Sequence, residues 1–301
     1  MKKPLKRILS AFAALAIALT FTLHAFAETY YTYSGYTYAR TDGNNIVIYG
    51  VDGDDYSEVI FPESIDGNRI VGVGVYAFSA DKKLTSVSCE NATHMTEILA
   101  FSFENCNNLT SFKLSPSVQY LGIGAFDSCT ALTSFDWADC QVDEILTQTF
   151  YKCTSLEYME LPDSVTEIYP HAFAGCTSLK EITIGRNVTE ISDTAFKDDD
   201  QLTIACFEDS YAHQYAVEHN IPVRFLHDIK LGDANGDGSV NINDVTAIQA
   251  HKAEMSFLTD LQQLAADVNY DGKVDIADAT LLQSFLAEFE VDYAVDTTVT
   301  R

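Results

Sequence analysis

Apolar residues recur along the middle of the chain with a period of 23 to 25 residues. A phenylalanine marks each repeat, and a leucine follows it six positions later. The phenylalanines are Phe78, Phe103, Phe126, Phe150, Phe173 and Phe196, and the leucines are Leu84, Leu109, Leu132, Leu156, Leu179 and Leu202. This spacing predicts six copies of one short structural unit.

Each unit combines two local patterns. In the unit from Ile168 to Ile184, the apolar residues Ile182 and Ile184 alternate with polar ones, as a short strand requires. The preceding Ala-Phe segment suits a helical turn packed behind that strand. One unit is too small to bury its own apolar face. We therefore expect the units to stack into a solenoid.

Four of the seven cysteines share one position of the repeat, at intervals of 23, 24 and 23 residues: Cys106, Cys129, Cys153 and Cys176. Such a column indicates a repeated core position rather than a disulfide pairing. We expect buried free thiols that fill gaps in the stack. Cys89, Cys140 and Cys206 lie outside the column, and the sequence leaves their state open.

The repeats resemble the leucine-rich repeats of the bacterial surface-antigen type (BspA-like). Their pattern of Ile, Ala-Phe, Cys, Leu-Thr-Ser and Leu-Pro-x-Ser-Val is closely met between Phe150 and Val165. The resemblance spans roughly residues 44–226, with an opening segment at 61–67 and a closing unit at 210–222. It implies a leucine-rich-repeat solenoid of short strands and helical turns, with a cap over 28–69 and repeats with a C-terminal cap over 70–226.

The predicted strands also present an outward face. Its candidate ligand-contacting residues alternate with the core and carry mixed charge: Lys113, Asp136, Tyr158, Glu160, Glu181 and Thr183. They could dock a protein or a glycan, but any solvated strand face has similar residues, and both readings stay open. The tyrosines between Tyr30 and Tyr38 favour an edge strand that caps the solenoid over a sugar-stacking surface.

A different duplication begins after residue 229, with Asp233 and Asp267 opening two similar segments 34 residues apart. Calcium prefers six to eight oxygen ligands, which a 12-residue loop provides from positions 1, 3, 5, 7, 9 and 12. Glycine at position 6, Gly238 or Gly272, permits the sharp bend. The sequence predicts two calcium ions, held by Asp233, Asn235, Asp237, the Ser239 carbonyl, Asn241 and Asp244, and by Asp267, Asn269, Asp271, the Lys273 carbonyl, Asp275 and Asp278.

Each loop leads into an apolar helical pattern, whereas no helix is evident before Asp233. Position 12 is Asp in both loops, where the general calcium loop has Glu. This doubled arrangement resembles a type I dockerin over about residues 229–293, followed by a tail at 294–301. The resemblance implies a small all-α domain that needs calcium for its structure and binds a cohesin module of a cellulosome scaffolding protein. It places the cohesin contacts at Ile242, Asn243, Ile248, Ile276, Ala277 and Leu282.

The N-terminal residues have the pattern of a secretory signal peptide. Basic residues between Lys2 and Arg7 precede an apolar run to Leu23, and small residues stand at Ala25 and Ala27. We expect cleavage after Ala27, giving a secreted chain without membrane insertion; an uncleaved anchor is the alternative. The net charge of −26 disfavours nucleic-acid partners and anionic membranes and favours divalent cations.

Together these patterns predict an α+β chain that is a secreted, extracellular, noncatalytic cellulosome component. The dockerin-like segment would bind a scaffolding cohesin, and the repeats would recognise a protein or carbohydrate during plant polysaccharide degradation. A glycoside hydrolase or protease-related cellulosomal component is one alternative, although the repeats leave little of the chain for a catalytic fold. A surface adhesin that binds host or bacterial partners is another.

Overall fold

The computed structural model describes residues 30–53, 55–288, 295 and 297–300. The predicted signal peptide, residues 1–27, lies outside them. The chain divides into two compact units, of which one ends at Arg224 and the other begins at Phe225. The boundary expected from the sequence, between residues 226 and 229, lies next to this division.

Six strands open the first unit: β1 (Tyr30–Tyr33), β2 (Tyr36–Arg40), β3 (Asn45–Val51), β4 (Glu58–Ile60), β5 (Ser64–Ile65) and β6 (Asn68–Val73). Strands β1, β2 and β3 pair as antiparallel neighbours, and β3 then pairs in parallel with β6. Strand β1 is the outermost strand of this sheet. The first part of the tyrosine-rich segment is therefore an edge strand, as expected, whereas Tyr36 and Tyr38 lie on the inner strand β2.

The repeats add two ladders of short parallel strands. The first ladder contains β7 (Ser86–Ser88), β9 (Ser111–Lys113), β11 (Ser134–Asp136), β13 (Tyr158–Glu160), β15 (Glu181–Ile184) and β17 (Thr203–Phe207). The second contains β8 (Glu97–Ile98), β10 (Tyr120–Leu121), β12 (Glu144–Ile145), β14 (Glu167–Ile168) and β16 (Glu190–Ile191). Equivalent positions face each other, such as Ser111 and Ser134. The solenoid of leucine-rich-repeat type is thus confirmed.

Stacked phenylalanines form the centre of this unit. Rings of consecutive repeats, from Phe78 to Phe196, lie 5.1 to 5.5 Å apart and nearly parallel. The four column cysteines are buried free thiols, as expected, and each donates to a phenylalanine carbonyl of the preceding repeat. Cys89, Cys140 and Cys206 are also free and buried. The cysteine column therefore joins neighbouring repeats.

The Ala-Phe segments form consecutive tight turns. A residue with positive φ ends each turn, at Asn105, Ser128 and Lys152 in three successive repeats. This left-handed conformation prevents the turn from continuing as a helix. The backbone instead bonds to the next repeat, because the N–H of Phe103 donates to the carbonyl of Ala125 at 2.9 Å.

Both strand ladders are interrupted at the same level of the solenoid. Strands β11 and β13 belong to different sheets, as do β10 and β12. On the turn side the stack is continuous, since the N–H groups of Gly124 and Phe126 donate to Thr147 and Thr149 at 3.0 and 2.9 Å. The two repeats are thus joined at the turns and separated at the strands.

We attribute this separation to the side chain of Trp137. Trp137 occupies the inward position that Leu114 and Leu161 fill in the neighbouring repeats, and it lies against Phe135 with ring centroids 4.7 Å apart. Its repeat also has one extra residue. A longer repeat alone does not break the ladder, because the repeat that starts at Leu84 is longer still and retains its pairing. The indole and the left-handed backbone of Ala138 and Asp139 directly after it, with φ of +49° and +58°, distinguish this repeat from its neighbours.

The solenoid closes with α1 (Tyr211–Glu218) and β18 (Val223–Leu226), the latter next to β17. The second unit contains β19 (Asp228–Lys230), α2 (Ile242–Lys252), α3 (Asp260–Ala266), α4 (Ile276–Leu286) and β20 (Thr298–Thr300). Helices α2 and α4 pack around Val245, Ile248 and Leu282. The terminal strand β20 pairs with β19 in antiparallel fashion. Across the described parts of the chain, every helix is too short or too polar to cross a membrane.

Candidate functional site

The first candidate calcium loop is organised by two aspartates at its ends. The carboxylate of Asp233 accepts hydrogen bonds from the N–H groups of Asp237 and Gly238 at 3.0 and 2.8 Å. The carboxylate of Asp244 accepts from the N–H groups of Asn235 and Asn241 at 3.0 and 2.8 Å. The backbone therefore wraps around both carboxylates, as a loop that encloses a cation requires.

The second loop has hydrogen bonds equivalent to these four. The carboxylate of Asp267 accepts from the N–H groups of Asp271 and Gly272 at 3.2 and 3.1 Å. The carboxylate of Asp278 accepts from the N–H groups of Asn269 and Asp275 at 3.4 and 2.9 Å. The two loops are thus structural copies of each other, in agreement with their duplicated sequence.

The remaining predicted ligands lie on the same loops. The amide oxygens of Asn235 and Asn269 accept from the residue two positions later, a local turn that directs the side chain along the loop. Gly238 and Gly272 have φ of +87° and +79°, which explains the need for glycine at position 6. Ser239 and Lys273 follow at exposed positions. Each is predicted to bind the ion through its backbone carbonyl and not through its side chain.

Helices α2 and α4 begin inside the loops. Their N-cap residues are Asn241 and Asp275, and Asp244 and Asp278 complete a capping box in each helix. The carboxylates at position 12 are thereby fixed to the first turn of each helix, whose partial positive charge favours an anion there. Two of the six predicted ligands of each loop therefore also form the start of its helix.

The buried charge of the loops tests whether they fit a cation. Asp244 and Asp278 are fully buried, and their hydrogen bonds come from backbone N–H groups, which carry no full positive charge. Burial raises the pKa of both carboxyl groups, and the neighbouring carboxylates of Asp233 and Asp267 raise it further. Oxygen donors with uncompensated buried charge match the preference of calcium.

The described residues contain no group of three or more His, Cys, Asp or Glu side chains that could hold a metal ion. The expected donor set of each loop is broader than those residue types, because it includes an asparagine amide and a backbone carbonyl. Calcium binding by the twelve predicted ligands accordingly remains a proposal.

Helix α3 contributes a contact that the sequence reasoning did not identify. The side-chain amide of Gln262 donates to the backbone carbonyl of Asn235 at 2.8 Å and so links the second half of the unit to the first loop. Thr259 and Gln262 form a capping box at the start of α3. The Thr-x-x-Gln pattern in the sequence could have predicted the start of this helix.

The predicted partner-binding residues divide into two groups. Ile242 and Ile276 are each 60% exposed, and the adjacent Asn243 and Ala277 are exposed as well. In contrast, Ile248 and Leu282 are fully buried in the core between α2 and α4. Their assignment to the partner-binding surface was wrong, because a fully buried side chain cannot contact a partner without unfolding.

The residues expected on the solenoid face lie on consecutive strands of the first ladder. Three of them already have charged partners: Lys113 lies 3.3 Å from Glu90 and 3.8 Å from Asp136, and Glu181 receives two hydrogen bonds of 2.9 Å from Arg224. The Arg224 guanidinium lowers the pKa of Glu181. These contacts hold neighbouring parts of the solenoid together.

Three of the face residues line a groove of about 910 Å³ at the interruption between β11 and β13. Tyr158 and Glu160 line one wall, and Asp136 lines the opposite wall. Thr183 lies one strand further on, opposite Glu160. The structure therefore places three of the six predicted face residues at one depression.

Comparisons with known proteins agree with both units. Residues 71–203 match the BspA type leucine rich repeat region in six copies, and residues 231–287 match the dockerin type I domain. The chain contains a BspA-type leucine-rich-repeat region. It is, more particularly, such a region joined to a C-terminal type I dockerin domain, and both modules are noncatalytic. No curated protein matches the chain.

Solved structures of bacterial leucine-rich-repeat proteins resemble the chain. A leucine rich cell surface protein from Faecalibacterium prausnitzii is 25% identical, with a TM-score of 0.50 over 62% of this chain and 56% of the other. The chain thus spans little more than half the length of that protein. A T. pallidum leucine rich repeat protein is 22% identical, with a TM-score of 0.48 over 66% of this chain and 98% of the other.

Proposed function

We propose that this protein is a secreted, noncatalytic component of a cellulosome. Its dockerin domain binds a cohesin module of a scaffolding protein when calcium fills both loops. Bound calcium supplies the positive charge that lets the loop carboxylates lie close together, and the chain supplies the oxygen atoms that hold it. The domain thereby attaches the repeats to a larger assembly.

The observation that carries this proposal is the doubled loop-helix arrangement with one exposed isoleucine at each helix start. Ile242 and Ile276 occupy equivalent positions directly after the N-caps of α2 and α4. An exposed apolar residue beside polar neighbours suits the centre of a protein interface. Because the ligand-bearing N-caps precede these isoleucines, calcium binding would fix the helix starts that present them.

The repeats serve recognition in this proposal, with a protein or carbohydrate ligand encountered during plant polysaccharide degradation. The strand ladder offers a continuous surface on a rigid stack, a usual binding surface of solenoid proteins. The assembly would thus place a noncatalytic recognition module beside partner enzymes. The alternative of a hydrolase or protease-related function has no specific observation in its favour.

A second candidate function is that of a surface adhesin for host or bacterial partners. The description of the F. prausnitzii structure as a cell surface protein favours it. In that case the repeats would carry the main activity, and the dockerin would serve as the attachment to the cell surface.

The test measures cohesin binding by the full chain. Isothermal titration with calcium should give two sites, and pull-down against a panel of cohesins should succeed in calcium and fail in chelator. Calcium binding without any cohesin partner would refute cellulosome attachment. The same chain should then be tested on bacterial and host cell surfaces to examine the adhesin function.

A further inference from the structure

The interruption of the first strand ladder leaves two strand edges facing one groove. Among the described strands, β11 pairs with β9 alone and β13 pairs with β15 alone. An edge strand presents N–H and C=O groups that can pair with another strand. Here two such edges lie on either side of a groove of about 910 Å³.

Backbone hydrogen bonds along the ladder locate the gap. The N–H of Thr133 donates to Thr110 at 2.9 Å, and two repeats later the N–H of Lys180 donates to Glu157 at 2.8 Å. In the described structure, no equivalent bond connects Glu157 to Thr133. The backbone is thus available for pairing at the level of the groove.

The groove has an apolar base and acidic walls. Phe135, Met159 and Leu161 contribute apolar surface, whereas four carboxylates and no basic side chain line the groove. The carboxylates belong to Asp136, Asp139, Glu160 and Asp163. Lys113, on the neighbouring strand, lies 3.8 Å from Asp136 and offsets part of this charge. A ligand with positive charge is complementary to the remainder.

A strand-like peptide matches these features better than a glycan does. Sugar-binding sites often use an exposed aromatic face, but Trp137 is only 8% exposed and its Nε1–H points to the Met159 sulfur at 3.3 Å. Tyr158, which is 63% exposed, offers one ring at the rim. The facing strand edges and the acidic walls instead suit a main chain with basic side chains.

We propose that the groove between β11 and β13 binds an extended, basic peptide segment of a partner protein, which adds as a strand to one or both edges. This inference deepens the recognition role proposed for the repeats, and it does not depend on cohesin binding. Main-chain hydrogen bonds would provide affinity, and Asp136 and Glu160 would select lysine or arginine side chains.

The test uses a fluorescein-labelled peptide of seven alternating valine and lysine residues and the full chain, with fluorescence anisotropy as the readout. We expect binding that weakens with added salt, and loss of binding when alternate peptide amides are N-methylated. The combined Asp136→Asn and Glu160→Gln variant should bind about tenfold more weakly, because two screened charge contacts are lost. Glu218→Gln, an exposed change on α1, is the matched control and should bind normally.

A second variant tests the geometry. Trp137→Leu restores the residue type of the neighbouring repeats and should close the gap, so peptide binding should disappear while circular dichroism shows a folded chain. Equal binding of the N-methylated peptide, or no effect of the charge substitutions, would overturn the proposal. Displacement of the peptide by neutral xylo-oligosaccharides would identify a glycan site instead, if the Tyr158→Ala variant also binds neither the peptide nor the oligosaccharide. Cohesin binding, measured on the same samples, reports separately on attachment.

Discussion

The thiol of Cys129 donates a hydrogen bond to the backbone carbonyl of Phe103, one repeat earlier, with a sulfur–oxygen distance of 3.1 Å. Burial raises the pKa of this thiol, which keeps the thiol protonated and therefore able to donate. The same contact occurs at Cys106, Cys153 and Cys176. The column thus combines gap filling with a bond between repeats.

Replacing this thiol should destabilise the solenoid. For Cys129→Ala we expect the free energy of unfolding to fall by about 1–2 kcal/mol, because a hydrogen bond is lost and a small cavity is left. Urea unfolding followed by circular dichroism measures the change. The control is Ser134→Ala on the exposed strand face, which should be neutral. Equal stability of the two variants would contradict a role for the thiol bond.

Asp199 occupies the cysteine position in the sixth repeat and should make stability pH-dependent. It is 8% exposed, and burial raises its pKa to about 7. The backbone N–H groups of Cys176 and Gly175 face the carboxylate and offset part of this increase in pKa. Within the described structure, neither carboxylate oxygen has a hydrogen-bond partner of standard geometry. Its folded-state pKa is thus above the unfolded value, so ionisation at higher pH disfavours folding.

The corresponding variant is Asp199→Cys, which restores the residue of the column. It should raise the melting temperature clearly at pH 8 and much less at pH 5, where the folded protein carries a neutral Asp199. The difference in stabilisation between these pH values should be roughly 3 kcal/mol. Calorimetry at both pH values measures it. A gain that is independent of pH would exclude the ionisation of Asp199 as its cause.

The two loops should bind calcium one ion each. Asp244→Ala and Asp278→Ala should each reduce the stoichiometry from two ions to one, since each removes the buried carboxylate that organises its loop. Calcium should also raise the melting temperature less in these variants than in the native chain, by mass action. Isothermal titration and thermal scans with and without chelator measure both effects. Glu254→Gln, an exposed change after α2, is the control. Unchanged stoichiometry would refute the ligand assignment.

The exposed isoleucines should matter jointly for cohesin binding. Single variants Ile242→Ala and Ile276→Ala should weaken binding by less than about threefold, because the unmodified half of the duplicated domain can still bind the cohesin. The double variant should weaken it by about 30-fold or more, the effect of losing an interface anchor. Surface plasmon resonance in calcium measures the affinities. Loss of binding in one single variant would mean that only that half contacts the cohesin.

Much of the fold could be predicted because the repeat spacing is periodic. The spacing of Phe103 and Phe126 places equivalent residues one turn apart, and duplicated aspartates identify the two loops. The misassigned core residues show where pattern reasoning failed. Ile248 lies six residues after Ile242, a rotation of about 240° around a helix, so the two cannot share one face. The interruption at Trp137 could not be predicted, because it depends on how an indole fits between stacked repeats.

That interruption also has a consequence for folding. In a solenoid, each repeat is stabilised mainly by its neighbours, and cooperativity passes through the interfaces between them. Between β11 and β13 this coupling depends on the turns and on the contacts of Phe150 with the rings of Phe126, Phe135 and Trp137, with no pairing between those two strands. The repeats before and after this level should therefore unfold as two separable cooperative blocks, and native-state hydrogen exchange should resolve their different stabilities.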